Sequence, residues 1–338
     1  MPEADRPIHT KAIAALLLAN LFWGLSFPLI KSVALAHQQV LPGSGNWFIT
    51  ACTIGPRFVL AAIVMLFWAG RTLGRLTRSE MIQGVGLGMF ASAGMLFQND
   101  GLQFTSASVS AFLTQFYAIL IPVWVAWRRR CWPAPIVWTC CALVLIGAAV
   151  LARFDPRQMH LGRGELETLL SSVFFMGQIL WLGRKPFAGN RVRPVTFVMF
   201  SFQAVIFLTM MLATAPRADV LLALGRSPPW VALTAGLTVF CTLGAFMLMN
   251  KWQPKIPAIE AGLIYCFEPV FASAMALFLP SWFSGWAGFD YPNERATFHL
   301  LVGGGLITLA NVLLHLLPPP PHPPRFGGRD AAGRIPHG

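Results

Sequence analysis

Two ionisable side chains lie inside long apolar runs of this sequence: Arg57 in GPRFVLAAIVMLFW and Glu268 in IYCFEPVFASAMALF. A charge at the centre of a bilayer costs about 2.5–3.5 kcal/mol on insertion scales, so such residues face a bundle interior or an aqueous path, where they bind, pair or relay protons. Glu268 falls eleven residues into its run, and Arg57 eight residues into a run that starts from the opposite face. At ~1.5 Å per residue the depths are ~16 Å and ~12 Å, which in a ~30 Å core brings the two to similar heights. Glu268 is expected to face a central cavity, with Arg57 as its partner or as a second cavity charge.

Five more residues in apolar runs carry hydrogen-bonding or amphipathic groups suited to a binding pocket: Trp23, Gln115, Tyr117, Gln178 and Tyr265. Pro28, Pro122 and Pro269 each remove a helix hydrogen bond and are hinge candidates. Asp100, between Gln98-Asn99 and Gly101, is a gate or turn candidate, with the turn preferred because Asn, Asp and Gly suit tight connections. Chemistry of other kinds lacks its parts. The seven histidines are dispersed and the six cysteines have no paired spacing, so neither a metal, a cofactor nor a disulfide framework is expected. No G-x-x-x-x-G-K-[ST] loop is present to use a nucleotide. The residues therefore point to binding and passage of a small-molecule substrate, with protons as an optional coupling ion, and not to an enzyme. The alternative is a membrane-embedded receptor or enzyme without transport activity.

Positioning these groups requires helices in lipid. Ten stretches are long and apolar enough to cross a bilayer: 12–35, 49–70, 81–99, 102–127, 134–153, 165–183, 195–214, 229–249, 257–280 and 297–317. The composition agrees, at 56% hydrophobic and 11% charged residues with a mean hydropathy of +0.62. Runs such as 140–151 are apolar on all sides, which excludes the alternating ten-residue pattern of a membrane barrel. The net charge of +12 would imply nucleic acid in a soluble protein. Here position matters more: seventeen of the 25 basic residues fall in alternate connections, including Arg128, Arg129, Arg130, Arg184 and Lys185, against seven in the others. That asymmetry sets both termini, 1–11 and the Pro- and Gly-rich 318–338, on the cytoplasmic side. The tail is too polar to fold alone, the lipid bilayer is the expected partner, and no nucleic-acid partner is expected.

Five helices per half is an odd number, so a repeat of 12–153 in 165–317 must be inserted upside down. Leu21-Phe22-Trp23-Gly24 aligns with Phe174-Phe175-Met176-Gly177 and Lys31 with Arg184 at an offset of 153; Gly94, Gln103, Ala111 and Leu113 meet Gly244, Gln253, Ala261 and Leu263 at 150. Tyr117 and Pro122 likewise resemble Tyr265 and Pro269 at nearby offsets. The expected fold is thus all-α, ten transmembrane helices in two inverted five-helix repeats, with a cavity at their interface. Gly84-x-x-x-Gly88, Ala258-x-x-x-Gly262 and Gly303-Gly304-Gly305 supply the small residues that let helices touch in lipid.

These residues resemble the drug/metabolite transporter superfamily, EamA type. The resemblance lies in Leu21-Phe22-Trp23-Gly24-Leu25-Ser26-Phe27-Pro28 of the first helix, Arg57-Phe58-Val59-Leu60-Ala61-Ala62 of the second, Gly101-Leu102-Gln103-Phe104-Thr105-Ser106-Ala107 at the third junction and Glu268-Pro269-Val270 of the ninth. It implies a multi-pass inner-membrane transporter that exports or takes up small metabolites, amino acids or drugs by alternating access, and export is the direction expected here. Two departures stand out. Ile121-Pro122 occupies the place where the first half often has Glu before Pro, so Glu268 has no repeat mate, and the 281–296 connection is long.

Overall fold

The structure, a computed structural model, describes residues 6–101, 104, 107–130, 132–151, 162–217 and 219–317. The first five residues, Gln103, Cys131, the 152–161 connection with Arg153 and Arg157, and the tail from 318 lie outside the described residues. Among the described residues every regular element is helical and none is a strand. In chain order these are α1 (Arg6–Val40), α2 (Asn46–Ala69), α3 (Arg78–Gly101), α4 (Ala107–Thr114), α5 (Tyr117–Arg129), α6 (Pro135–Leu151), α7 (Arg163–Leu182) and α8 (Val192–Thr214). They are followed by α9 (Asp219–Gly225), α10 (Pro228–Gly236), α11 (Ala245–Trp252), α12 (Ala258–Tyr265), α13 (Glu268–Ala276), α14 (Leu279–Ala287) and α15 (Phe298–Leu316).

Among the described residues six segments are long and apolar enough to cross a membrane: Pro7–Val40, Asn46–Arg75, Arg78–Gly101, Val192–Thr214, Pro228–Lys255 and Ala258–Ala276. Phe112–Arg128, Pro135–Leu151 and Phe298–Leu314 are shorter apolar helices, and α7 opens on Arg163, Glu165 and Glu167. The protein is a multi-pass membrane protein. Large apolar side chains such as Phe67, 80% exposed, point outward, as lipid-facing residues do where lipid and not water is the solvent.

Two of the expected continuous spans are broken. The run 102–127 divides between α4 and α5, where Gln115 and Phe116 donate to the carbonyls three residues back and tighten the turn. The run 257–280 divides in the same way between α12 and α13, where Cys266 and Phe267 donate to Leu263 and Ile264. Pro269 occupies the first turn of α13, a position where its missing N–H costs nothing; it starts a helix, whereas the hinge reading had it bending one. Pro28 and Pro122 do lie in helix interiors. Pro122 deprives the Ala118 carbonyl of its usual donor, and the buried Cys141 thiol of α6 supplies a replacement at 3.2 Å. Between α10 and α11 the chain winds as a π-helix over Leu237–Gly244, a rare form that is frequent at functional sites.

Close backbone approaches hold the bundle. A Cβ on Gly147 would lie 2.8 Å from the Gly303 carbonyl and one on Gly303 2.5 Å from that of Gly147, so α6 and α15 meet backbone to backbone. Gly84 and Gly88 bring α3 onto Val198 and Phe202 of α8, and Gly24 brings α1 onto Phe271 of α13. Gly304 and Gly305 face looser surroundings and are not part of such a contact. In lipid, where burial supplies little drive between helices, these van der Waals contacts carry much of the association.

Polar clasps fix the ends of α3. At its start Thr77 and Glu80 form a reciprocal capping box, and the Glu80 carboxylate also accepts from the Nε of Arg191 at 2.7 Å, just before α8. At its far end Asp100, in the last turn of the helix and not in a separate turn, accepts from Arg163 at the start of α7. Two apolar clusters result. The larger joins Leu16, Phe58, Leu87, Ile121, Phe200 and Phe246. The smaller, around Leu29, Phe48, Trp230, Phe283 and Phe289, lies toward the end where α1 finishes and packs α14 onto the bundle.

Candidate functional site

A cavity of about 570 Å³ lies among α1, α2, α3, α7, α11 and the two broken helices. Its lining takes Trp23 to Ala34 from α1 but nothing from the first half of that helix, and Met95 to Asn99 from the last turns of α3. It therefore runs from the middle of the bundle to the end where α1, α3 and α6 finish. Exposed Lys31 and Glu294 place its mouth there.

Of the seven residues expected at a cavity, Trp23, Arg57, Tyr117, Gln178, Tyr265 and Glu268 line this one. Gln115 does not. It is buried at the α4–α5 break and accepts from the Tyr117 hydroxyl at 3.0 Å, so it orients a lining residue without being one. Pro28 and Pro269 line the cavity, while Pro122 and Asp100 lie outside it. Asp100 is engaged by Arg163, which also reaches Glu167 at 2.7 Å, an arrangement that joins helices.

The expected pairing of Arg57 with Glu268 is not found: no ion pair joins them within 4 Å. Equal depth fixes height but not direction around the helix axis, and the two side chains approach the cavity from different walls. Arg57 is held from beneath by the Phe58 ring, 5.0 Å from its guanidinium carbon, and reaches Met95 Sδ at 3.9 Å. Phe58 is itself packed against Phe200 and Phe207 of α8. Trp23 stands edge-on to Phe246 and Tyr265, with ring centres 5.4 and 5.5 Å away, a geometry favoured by aromatic quadrupoles.

The floor is closed by hydrogen bonds between buried groups. The Tyr265 hydroxyl donates to Gln253 Oε1 at 3.0 Å, and Gln253 Nε2 donates to the Ile179 carbonyl at 2.8 Å, linking α12 to α7. Beyond it, Asn190 donates to Gln83 Oε1 at 2.8 Å and His9 meets Glu260 at 3.0 Å.

The mouth contains residues that motif reading did not single out. The long connection after α14 folds as a strap: Asn293 caps the start of α14 through Ser281, Gln39 donates to the Gly288 carbonyl at 2.8 Å, and Glu294 N–H donates to the Ala276 carbonyl at 2.9 Å. Gly288, at φ +77°, makes the reversal that a side chain would strain. Tyr291 and Glu294 thereby reach the cavity, and the Lys31 ammonium sits 4.7 Å from the Tyr291 ring centre. Burial, helped by nearby Glu294, pushes the Tyr291 phenol up to about 12, which keeps it a neutral ring beneath that cation. The length of this connection was its only signal in the sequence.

The described residues hold no group of three or more metal-ligating side chains. The fold defines an all-helical, multi-pass membrane protein with an internal cavity. No family model matches the chain. It is 25% identical over 260 residues to an uncharacterized transporter of Archaeoglobus fulgidus, a match covering 76% of this chain and 74% of that protein. One solved crystal structure superimposes with a TM-score of 0.60 over 91% of this chain and 98% of its own, at 17% identity, a likeness of fold alone. Fold and similarity together suggest a transporter.

Proposed function

We propose that the protein is a secondary transporter that moves a small polar or amphipathic metabolite, amino acid or drug by alternating access, outward across a bacterial inner membrane. The observation that carries this reading is the cavity itself: a space of about 570 Å³ at mid-bundle, open toward one end and closed toward the other by the Tyr265–Gln253–Ile179 bonds. Walls that carry Arg57 and Glu268 among aromatic rings suit selective binding better than a passive pore.

The reading includes ten spans in two inverted repeats, 12–153 and 165–317. Two spans are the broken pairs α4–α5 and α12–α13, and one is the π-wound α10–α11. The packing is consistent with an exchange of halves: α3 packs on α7 as α11 packs on α1, α2 packs on α8, and α6 on α15. Broken helices at a repeat interface are where transporters bind substrate. Cytoplasmic termini are supported by cations stacked on aromatic rings at the end where α2 finishes and α8 begins, with Arg193 over Trp68 and Arg184 over Trp181. Such belts mark the membrane surface, and basic residues favour the inner one. Glu268 is the candidate for proton coupling, since it lines the cavity without an ion-pair partner.

The test is efflux from vesicles. The protein is reconstituted with a mixed metabolite pool inside, an imposed pH gradient, and mass spectrometry of what leaves. Selective efflux that Glu268→Gln abolishes supports both the transporter and the role of Glu268; equal efflux from both keeps the transporter and removes Glu268 from its mechanism. No efflux of any compound overturns the reading.

A further inference from the structure

We propose that the substrate of this cavity is a small amphipathic organic anion or zwitterion whose carboxylate, or a comparable oxyanion, seats on the guanidinium of Arg57. The inference rests on the transporter reading and names the substrate class for its site. Arg57 is only 5% exposed, and what it exposes lines the cavity. Among the described residues no carboxylate lies within 4 Å of its nitrogens, and its Nε is buried without a hydrogen-bond partner. Its polar contact is the Met95 thioether at 3.9 Å, a weak acceptor.

A guanidinium keeps its charge, carries five N–H donors and has no acceptor capacity. The protein thus fixes this donor set at the cavity wall with a thioether as its one polar contact among the described residues. Its planar fork matches a carboxylate in a two-point contact. The nearby wall is Ile54, Trp23 and Phe246, which suits an apolar body attached to the anion. A lipophilic cation would meet an uncompensated positive charge there, and a neutral ligand would leave the guanidinium without an anionic partner. Glu268 enters from another wall without pairing with Arg57, which leaves room for an ammonium on the same molecule.

The experiment is calorimetric binding to the full-length protein in lipid nanodiscs, using benzoate, phenylacetate and hexanoate, the matched amides and amines, and phenylalanine as a zwitterion. The expected result is binding of at least one carboxylate or the zwitterion, with its amide or amine at least tenfold weaker. Arg57→Gln should erase that preference, and Arg57→Lys, which keeps the charge but loses the fork, should retain part of it. If Arg57→Gln does not yield monodisperse protein, the wild-type preference and Arg57→Lys decide. Equal affinity for carboxylate and amide, preference for the amine, or no binding by any anion overturns the inference. The two readings fail separately. Vesicles that export only neutral or cationic compounds overturn the anion site and keep the transporter, whereas Arg57-dependent carboxylate binding without flux keeps the anion site and overturns the transporter.

Discussion

The break between α4 and α5 and the break between α12 and α13 have the same construction and opposite content. Each is a tightened turn followed by a helix that carries a proline, Pro122 in the interior of α5 and Pro269 in the first turn of α13, and each turns a tyrosine, Tyr117 or Tyr265, into the cavity. Next to the proline the first has Ile121 and the second Glu268. Ile121 is fully buried, and its Cδ1 occupies the space above Gly262, where a Cβ would come within 2.7 Å. Glu268 is partly exposed and lines the cavity. The first break is finished with packing and a thiol; the second ends on an acid facing open space. One backbone device serves as a joint in one place and as a presenting platform in the other, and the side chain before the proline decides which.

Exchanging those side chains gives the largest expected effect. Ile121→Glu places an unpaired carboxylate in a closed apolar site, which costs about 3–5 kcal/mol, so the variant is expected to lose monodisperse protein on extraction. Glu268→Leu, in contrast, should fold, with a melting temperature within a few degrees of wild type. Comparable thermal stability for the two would mean that the breaks are interchangeable and the comparison fails. Next in size is Glu268→Gln, for which a fall in proton-driven flux of about tenfold or more, equal to about 1.4 kcal/mol, is expected at unchanged protein yield.

A third prediction separates the tyrosines. The Tyr265 hydroxyl bonds to a glutamine that bridges to α7, whereas Tyr117 bonds to Gln115 only two residues away. Each Tyr→Phe change leaves a buried glutamine oxygen without its donor, at about 1 kcal/mol. Only Tyr265→Phe should also loosen the closed floor, seen as faster hydrogen exchange at the cytoplasm-proposed ends of α7 and α12. Equal exchange in both variants would assign the two bonds the same local role.

Much of the site could be read from the sequence because a polar residue in an apolar run has few places to go. Trp23, Arg57, Tyr117, Gln178, Tyr265 and Glu268 were legible for that reason, and all line one cavity. The same logic misplaces Gln115, whose amide is satisfied by a neighbour in the chain. It also cannot see azimuth, so Arg57 and Glu268 were matched in height and found unpaired. Helix existence follows from apolar length, but the two breaks do not, since polar residues such as Gln115 and Glu268 inside an apolar run read equally well as pocket groups on a continuous helix. The strap carrying Tyr291 and Glu294 depends on Gln39, Gly288 and Asn293, which are distant or unremarkable in the sequence.

The smallest predicted effect tests why the first break tolerates its proline. Pro122 has no N–H for the Ala118 carbonyl, and Cys141 Sγ donates in its place at 3.2 Å. Cys141→Ala should therefore lower stability by about 0.5–1 kcal/mol, with Cys141→Ser recovering most of it through its hydroxyl. Pro122→Ala restores a backbone donor, so in the Pro122→Ala background most of the cost of Cys141→Ala should disappear, leaving only the packing of a sulfur atom. A thermal-denaturation double-mutant cycle in nanodiscs reads the coupling directly. Additive effects would show that the thiol is only filling space and that the carbonyl at this break is satisfied in another way; coupling of about half a kcal/mol or more would tie the cysteine to the proline four residues beyond the carbonyl it serves.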